Sequence, residues 1–162
     1  MTLHQIAKLT GAHVTATCGA RNFELVRSLG ADEILDYKTP EGAALQSPSG
    51  RKYDAVIHCA RGIPWSTFSP VLKPAAKVVD LTPDLKSLAT TALKKVTFCK
   101  QELLPFLMSG KAEDLEVLVA LARDGKLKTI VDSRYPLARS GEAWARSIEG
   151  HSTGKVVVEV QG

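Results

Sequence analysis

The sequence predicts an α/β fold built on a doubly wound parallel sheet, and two observations support this prediction. Helix-like and strand-like segments alternate along the 162 residues, and no segment repeats. The segment Asp54–His58 also has a continuous apolar centre, which is typical of a strand buried on both faces of a parallel sheet. The length suits one domain, so residues 1–162 are expected to form a single domain.

Each further element is predicted from apolar spacing and from glycine stops. Gly11 and Gly30 close the first two helices. Residues 39–52 are rich in Pro, Gly and Ser and are expected to be mostly loop, with room for one helical turn near Ala43–Leu45. The predicted helices are 2–9, 22–29, 64–71, 101–108, 112–124 and 140–149. The predicted strands are 13–18, 33–36, 54–58, 77–81, 96–99, 128–132 and 155–160.

The amino-acid composition and the charge disfavour several classes of function. The net charge of +4 is spread along the chain, which indicates a solvated surface, with a phosphate-bearing ligand or an anionic membrane surface as the alternatives. No basic run is long enough to indicate nucleic-acid binding. The three cysteines form no CxxC pair, so neither a zinc site nor a disulfide framework is predicted. No signal peptide, transit stretch or membrane span is recognisable.

Open parallel sheets bind ligands beyond the carboxyl ends of their strands, so the residues after each strand are the candidate site. Gly19, Ala20 and Arg21 follow the first strand, where NAD-binding sheets place an acidic residue that holds the ribose 2′-hydroxyl. This turn has no acidic residue, and Arg21 offers a guanidinium that pairs well with a phosphate. The pattern favours NADP over NAD, and an ordinary surface arginine is the alternative.

Three further turns complete the candidate site. Tyr37 and Lys38 follow the second strand, where they would reach an adenine and the same phosphate, unless they form a plain turn. Small residues follow the next two strands and would allow a close backbone approach to a nicotinamide, at Cys59, Ala60, Leu81 and Thr82. His58 is expected to pack at its strand end, and His151 to lie in a solvated loop.

Several blocks of the sequence, in order, resemble the zinc-independent quinone oxidoreductase branch of the medium-chain dehydrogenase/reductase superfamily, in particular its plant, chloroplast-envelope members. These blocks are VTATCGARN from Val14, SLGAD from Ser28, DYK from Asp36, YDAVIHC from Tyr53 and GHSTGKVVVEV from Gly150. The resemblance covers essentially the whole chain and implies a Rossmann-like fold.

The resemblance also implies a function. Members of this branch transfer hydride from NADPH to a quinone or an α,β-unsaturated carbonyl, without a catalytic metal. The resemblance places Gly19, Ala20 and Arg21 at the adenosine 2′-phosphate. It also places Tyr37 near the adenine ribose and Cys59 near the nicotinamide ribose. It places Lys155 in a closing segment that reaches back toward the cofactor. It further implies a chloroplast (envelope) location, with the cytoplasm as the default in the absence of a targeting segment. The stretch from Leu103 to Met108 would be a contact between identical subunits.

The chain departs from the family at its start. The N-terminal substrate domain, the first strand and the glycine-rich turn after it have no counterpart in the sequence. In the strand order 3-2-1-4-5-6 that strand is central, so its neighbours would have unpaired edges. Each buried unpaired amide costs about 1–3 kcal/mol, so we expect a poorly stable or self-associating chain.

Two other classes of function remain open from the residues. The chain could be a non-catalytic fragment that binds nucleotide, a partner or a membrane surface, or it could be inert. A short-chain dehydrogenase is disfavoured, because no tyrosine is followed four residues later by lysine. A serine hydrolase is disfavoured by the lack of a G-x-S-x-G turn.

Overall fold

A computed structural model describes residues 2–85, 88–91, 100–107 and 109–160. The chain divides into two compact units. The terminal unit comprises Met1–Val14, Arg21–Asp32 and Ala112–Gly162, and the central unit comprises Thr15–Ala20 and Glu33–Lys111. The fold is α/β, as predicted, with parallel pairing in every sheet of the described residues.

The central unit holds five of the described strands and two short helices. In chain order they are β1 (Thr15–Cys18), β2 (Glu33–Asp36), α3 (Pro40–Ala43), β3 (Tyr53–His58), α4 (Trp65–Phe68), β4 (Leu72–Asp80) and β5 (Glu102–Pro105). β1 pairs with β2, and β3, β4 and β5 form a separate sheet in that order. Among the described residues, β1 and β3 are therefore each paired on one side only.

The hydrophobic core of the central unit lies against β4. Its buried residues share one cluster: Phe68, Leu72, Ala76, Val78 and Leu103. Val78 is fully buried because it is flanked in the sheet by Val56 of β3 and Leu103 of β5. This middle position gives β4 partners on both sides, and burial of its apolar side chains stabilises the sheet by about 25 cal/mol per Å² of apolar surface.

The terminal unit contains four helices and one two-stranded sheet. In chain order these are α1 (Thr2–Leu9), α2 (Phe23–Ser28), α5 (Ala112–Arg123), β6 (Val131–Pro136), α6 (Ser140–Ile148) and β7 (Lys155–Glu159). Single 3₁₀ turns lie at Ala20–Asn22, Ser69–Val71 and Leu137–Arg139. Gln5 on α1 is buried, and its amide group pairs with both the backbone N–H and the carbonyl of Lys128.

Three predictions of local structure were wrong. Residues 101–108 were predicted to be helical, but Glu102–Pro105 form β5, because the pairing of Leu103 with Val78 overrides an apolar run that suits either conformation. The strand predicted at 128–132 lies at Val131–Pro136, since it takes its register from Lys155–Glu159. The segment 39–52 is mostly irregular, as predicted, and its one helical turn lies at Pro40–Ala43, where the hydroxyl of Thr39 accepts the N–H of Gly42.

The third wrong prediction concerns the burial of β3. The strand is present at Tyr53–His58, but Ala55 is exposed and Ile57 is 47% exposed, so only one face is covered. The helices at 2–9, 112–124 and 140–149 were predicted correctly within a residue or two, although α5 has no buried residue. The strand predicted at 96–99 lies outside the described residues.

Candidate cofactor-binding site

The parallel register brings two of the predicted turns together in the central unit. β3 and β4 end at the same level, with His58 opposite Asp80. The N–H of Leu81 donates to the carbonyl of His58 at 2.9 Å. The Thr82 hydroxyl donates to the carbonyl of Ala60 at 2.7 Å. The Cys59–Ala60 and Leu81–Thr82 turns are therefore hydrogen-bonded to each other, and Cys59 and Ala60 remain exposed.

A buried polar pair lies directly behind these turns. The Nδ1 atom of His58 is 3.2 Å from the Oδ1 atom of Asp80, and the two side chains are 9% and 4% exposed. The same Asp80 oxygen accepts the N–H of Thr82 at 3.0 Å. The ring of His58 also packs edge-on against Phe68, with 5.0 Å between ring centroids. His58 does pack at its strand end, but its carboxylate partner, 22 residues further along the chain, was missed by sequence reasoning.

The strands β1 and β2 end in a similar way. Cys18 lies opposite Asp36, and Oδ1 of Asp36 accepts the N–H of Lys38 at 2.9 Å. The ring of Tyr37 lies over Gly19, where an added Cβ would be 3.3 Å from the Tyr37 hydroxyl. Tyr37 is 55% exposed and Lys38 is exposed, so both side chains are open to a ligand.

The two described cysteines are poor nucleophiles. Burial raises the pKa of the Cys18 thiol, and the nearby Asp36 carboxylate raises that pKa further. The protein around Cys59 likewise raises the pKa of its thiol, by partial burial, although the residue is exposed by surface area. Because the thiolate is the reactive form, both side chains suit packing and close approach better than covalent catalysis.

Arg21 belongs to the terminal unit, and its environment there differs from the expectation of a free cation. Its guanidinium donates to the carbonyl of His151 at 2.9 Å, while both residues remain exposed. The Thr153 hydroxyl donates to the side-chain oxygen of Asn22 at 3.2 Å. The segment 151–153 is thus held against residues 21 and 22 by two hydrogen bonds, which the sequence alone did not indicate.

Asp132 also holds the segment 151–153 in place. It accepts a bidentate pair of hydrogen bonds from Arg146, each 2.9 Å long, and the N–H of Thr153 at 2.6 Å. The hydrogen bonds from Arg146, followed by that from Thr153, hold the pKa of Asp132 well below its usual range. Asp132 therefore stays charged across the physiological pH range and fixes the position of Thr153.

Lys155 begins β7 directly after a turn that requires glycine. Gly154 has a φ of +121°, and an added Cβ would lie 2.4 Å from the carbonyl oxygen of Ile130. The N–H of Lys155 donates to that same carbonyl at 2.8 Å, and its side chain is exposed beside a small cavity that Thr2 and Lys128 also line. The structure places Lys155 with the terminal-unit sheet and gives it no partner side chain that would assign a role.

The chemistry of these residues suits the two ends of a dinucleotide. In the central unit, an exposed aromatic ring and an exposed ammonium group follow β2, and small, exposed residues follow β3. Behind the small residues, the buried Nε2 of His58 has no hydrogen-bond partner among the described residues. A buried nitrogen without a hydrogen-bond partner is uncommon in folded proteins.

The family of the chain follows from its sequence. A family model described as zinc-binding dehydrogenase matches residues 29–158. The chain belongs to this family. It is part of the medium-chain dehydrogenase/reductase superfamily, as the sequence blocks had indicated.

Curated relatives in this family match most of the chain. The chain is 61% identical over 155 residues to a chloroplast envelope quinone oxidoreductase homologue of Arabidopsis thaliana. It is 56% identical over 155 residues to a chloroplastic quinone-oxidoreductase homologue of Spinacia oleracea. In both comparisons the match covers 96% of this chain and 47% of the relative, so the chain spans about half the length of the relatives it matches.

Solved structures in the superfamily share the fold. A quinone oxidoreductase from Coxiella burnetii superposes with a TM-score of 0.81 at 24% identity, over 97% of this chain and 48% of that one. An NAD-dependent alcohol dehydrogenase superposes with a TM-score of 0.77 at 26% identity, over 97% of this chain and 46% of that one. The Rossmann-like α/β fold of the medium-chain dehydrogenase/reductases is therefore established for the chain.

Two further features concern metals and membranes. Within the described ranges, His, Cys, Asp and Glu side chains nowhere gather in groups of three or more that could hold a metal ion. In the same part of the chain, every helix is too short or too polar to cross a bilayer.

Proposed function

We propose that the chain is the cofactor-binding part of an NADPH-dependent oxidoreductase, a single partial nucleotide-binding domain that serves hydride transfer to a quinone or an α,β-unsaturated carbonyl. The main support is the charge at the end of β1 and β2. Asp36, the acidic residue there, directs Oδ1 to the backbone N–H of Lys38. In the residues directly after the two strands, 19–22 and 37–40, the charged side chains are the exposed cations Arg21 and Lys38. Cations at this position favour a 2′-phosphate over a bare ribose hydroxyl.

In this proposal each residue has a binding or orienting role. In the central unit, Lys38 binds the 2′-phosphate, with Gly19 and Ala20 allowing the approach, and Tyr37 lies against the adenosine. Arg21 is proposed, from its place in the sequence after β1, to favour a 2′-phosphate as well. The turns at Cys59–Ala60 and Leu81–Thr82 orient the nicotinamide, because small side chains let the backbone come close. When bound, NADPH supplies the hydride, and a proton from solvent completes the reduced product. Lys155 is proposed to reach the cofactor from the closing strand.

Calorimetric titration of the full chain with NADPH and with NADH tests the nucleotide preference. Arg21→Ala should weaken NADPH binding by about tenfold or more, because it removes charge-assisted hydrogen bonds, and should leave NADH binding nearly unchanged. Arg51→Ala is the matched control, since Arg51 is also an exposed arginine but precedes β3 at its amino end. Equal affinity for the two nucleotides, or an equal loss of both in Arg21→Ala, would refute the preference.

The hydride-transfer step needs its own assay. NADPH oxidation should proceed with a model quinone or enone and should not be inhibited by chelators, because we propose that the reaction needs no zinc. The names of the relatives support a quinone as acceptor and a chloroplast location for this chain as well. Nucleotide binding without turnover for any acceptor would instead favour a non-catalytic fragment.

The alternative, a docking fragment, is supported by the surface of α5. Leu115 and Val117 are 62% and 60% exposed, and the helix buries no residue within the described structure. Phe106 and Leu107, beyond β5, are also exposed, and β1 and β3 each pair on one side only among the described strands, which would suit strand addition. Contact between identical subunits or with an anionic membrane surface would use such features. Sedimentation of the chain alone and with anionic liposomes distinguishes these cases.

A further inference from the structure

The His58–Asp80 pair is chemically incomplete. Oδ1 of Asp80 is 3.2 Å from Nδ1 of His58, and a carboxylate can only accept a hydrogen bond. The proton of a neutral imidazole therefore lies on Nδ1, and Nε2 carries a lone pair. Nε2 is buried and has no donor among the described residues. A buried acceptor without a hydrogen-bond donor is unfavourable and uncommon in folded proteins, so its retention calls for a reason.

The position of the His58–Asp80 pair in the sheet suggests which kind of group donates a hydrogen bond to Nε2 of His58. His58 is the last residue of β3, and the next residues, Cys59 and Ala60, are exposed in the turn that the Thr82 hydroxyl ties to β4. Ligands of open parallel sheets bind beyond these strand ends. His58 therefore directly precedes, in the chain, a turn at which a ligand is expected. Because it is covered in the structure, contact with a ligand needs a small movement of the turn at 59–62, where Gly62 has a φ of +80°.

We propose that Nε2 of His58, oriented by Asp80, accepts a hydrogen bond from a hydroxyl or amide N–H of a ligand bound at the carboxyl ends of β3 and β4. This inference rests on the proposed function and extends it. Two ligands there carry the required donor: the nicotinamide-ribose half of the dinucleotide and the hydroquinone product. In either case Asp80 is a positioning residue, because it sets which ring nitrogen of His58 is the acceptor.

The direct test is the nitrogen resonance of His58 in proton–nitrogen correlation spectra of the full chain, assigned by its loss in His58→Phe. We expect the Nε2 resonance to shift when NADP⁺ is added. Adenosine 2′,5′-bisphosphate, which lacks the nicotinamide half, should leave it unmoved. If the hydroquinone is the donor, a model hydroquinone should move the resonance and NADP⁺ should not.

A second measurement uses affinities in place of spectra. His58→Phe keeps an aromatic ring against Phe68 and removes both nitrogens. It should weaken NADP⁺ binding by about five- to tenfold, as the loss of one hydrogen bond predicts, and leave adenosine 2′,5′-bisphosphate affinity unchanged. Asp80→Asn should also change the Nε2 resonance of the free protein, since an amide can donate to Nδ1 and move the ring proton to Nε2.

The outcomes separate this inference from the proposed function. Measurable heat of NADP⁺ binding with no shift of Nε2 by either ligand would overturn the role of His58 and leave the proposed function intact. Absence of heat with every nucleotide would overturn the proposed function, and the inference with it. Equal loss of affinity for NADP⁺ and for adenosine 2′,5′-bisphosphate in His58→Phe would mean that the pair only supports the fold.

Discussion

Two pairs of strands in the central unit end in the same kind of aspartate turn, but the residues around the two turns differ. Asp36 ends β2 and Asp80 ends β4, and each accepts the N–H of the residue two positions later. Opposite them in the register lie Cys18 and His58. Asp80 is buried and pairs with His58, whereas Asp36 is only partly buried beside a thiol that remains protonated.

The comparison shows that the aspartate alone builds the turn, and that its neighbours decide whether the turn becomes part of a buried network. Phe68 packs against His58, so the end of β3 is covered by the core. The end of β1 is covered by the ring of Tyr37, which is itself exposed. We therefore expect the β3–β4 end to be rigid and costly to alter, and the β1–β2 end to tolerate changes that do not affect the backbone.

The largest effect is expected from a change that breaks the backbone support of the β1–β2 end. A Cβ at Gly42 would lie 1.8 Å from the carbonyl oxygen of Asp36, so Gly42→Ala must displace α3 from the end of β2. We expect it to lower the free energy of unfolding by about 3 kcal/mol or more, measured by urea denaturation. Gly110→Ala is the control, because an added Cβ there has no atom within 4 Å. Similar stabilities for the two variants would contradict the close packing of α3 on β2.

A smaller but more informative effect separates the two aspartates. Asp80→Ala leaves His58 and the N–H of Thr82 without their buried acceptor, and should lower the free energy of unfolding by about 2–3 kcal/mol. Asp36→Ala removes the matching turn bond at a site that water can reach, and should cost about 1 kcal/mol or less. Equal costs for the two variants in urea denaturation would show that burial does not distinguish the two ends.

The smallest effect concerns the reactivity of Cys18. Burial is the main cause of its raised pKa and the Asp36 carboxylate is the second, so removing that charge should lower the pKa part of the way toward its ordinary value. Asp36→Asn should therefore increase the rate of Cys18 alkylation at mildly alkaline pH by about two- to threefold, followed by mass spectrometry of the labelled peptide. Cys59 provides an internal control, because burial and not Asp36 raises its pKa. An unchanged Cys18 rate would mean that Asp36 does not act on the thiol.

The local pattern was sufficient for much of the fold. The helices α1, α5 and α6 follow from apolar spacing and from glycine stops, and β2 and β7 from short β-branched runs. The run from Leu103 to Leu107 was assigned to the wrong class, because a short apolar segment suits a helix or a strand until a neighbouring strand pairs with it.

The candidate site likewise has a part that could be predicted from the sequence and a part that could not. Its turns could be found from the sequence, because ligands of open parallel sheets bind where the strands end, and Tyr37, Lys38, Cys59 and Ala60 all lie there. The His58–Asp80 pair could not be found by spacing, although a recurring signal was present: an aspartate ends both β2 and β4.

The sequence by itself determined the family, the α/β alternation and the turns that carry the candidate site, because these depend on residue types over short distances. The tertiary structure decided the pairing of β5, the exposure of one face of β3 and the partners of Arg21, His58 and Asp132. These depend on strand register and on contacts between residues far apart in the chain. A shift of one residue in that register would separate each pair, and no local pattern records it.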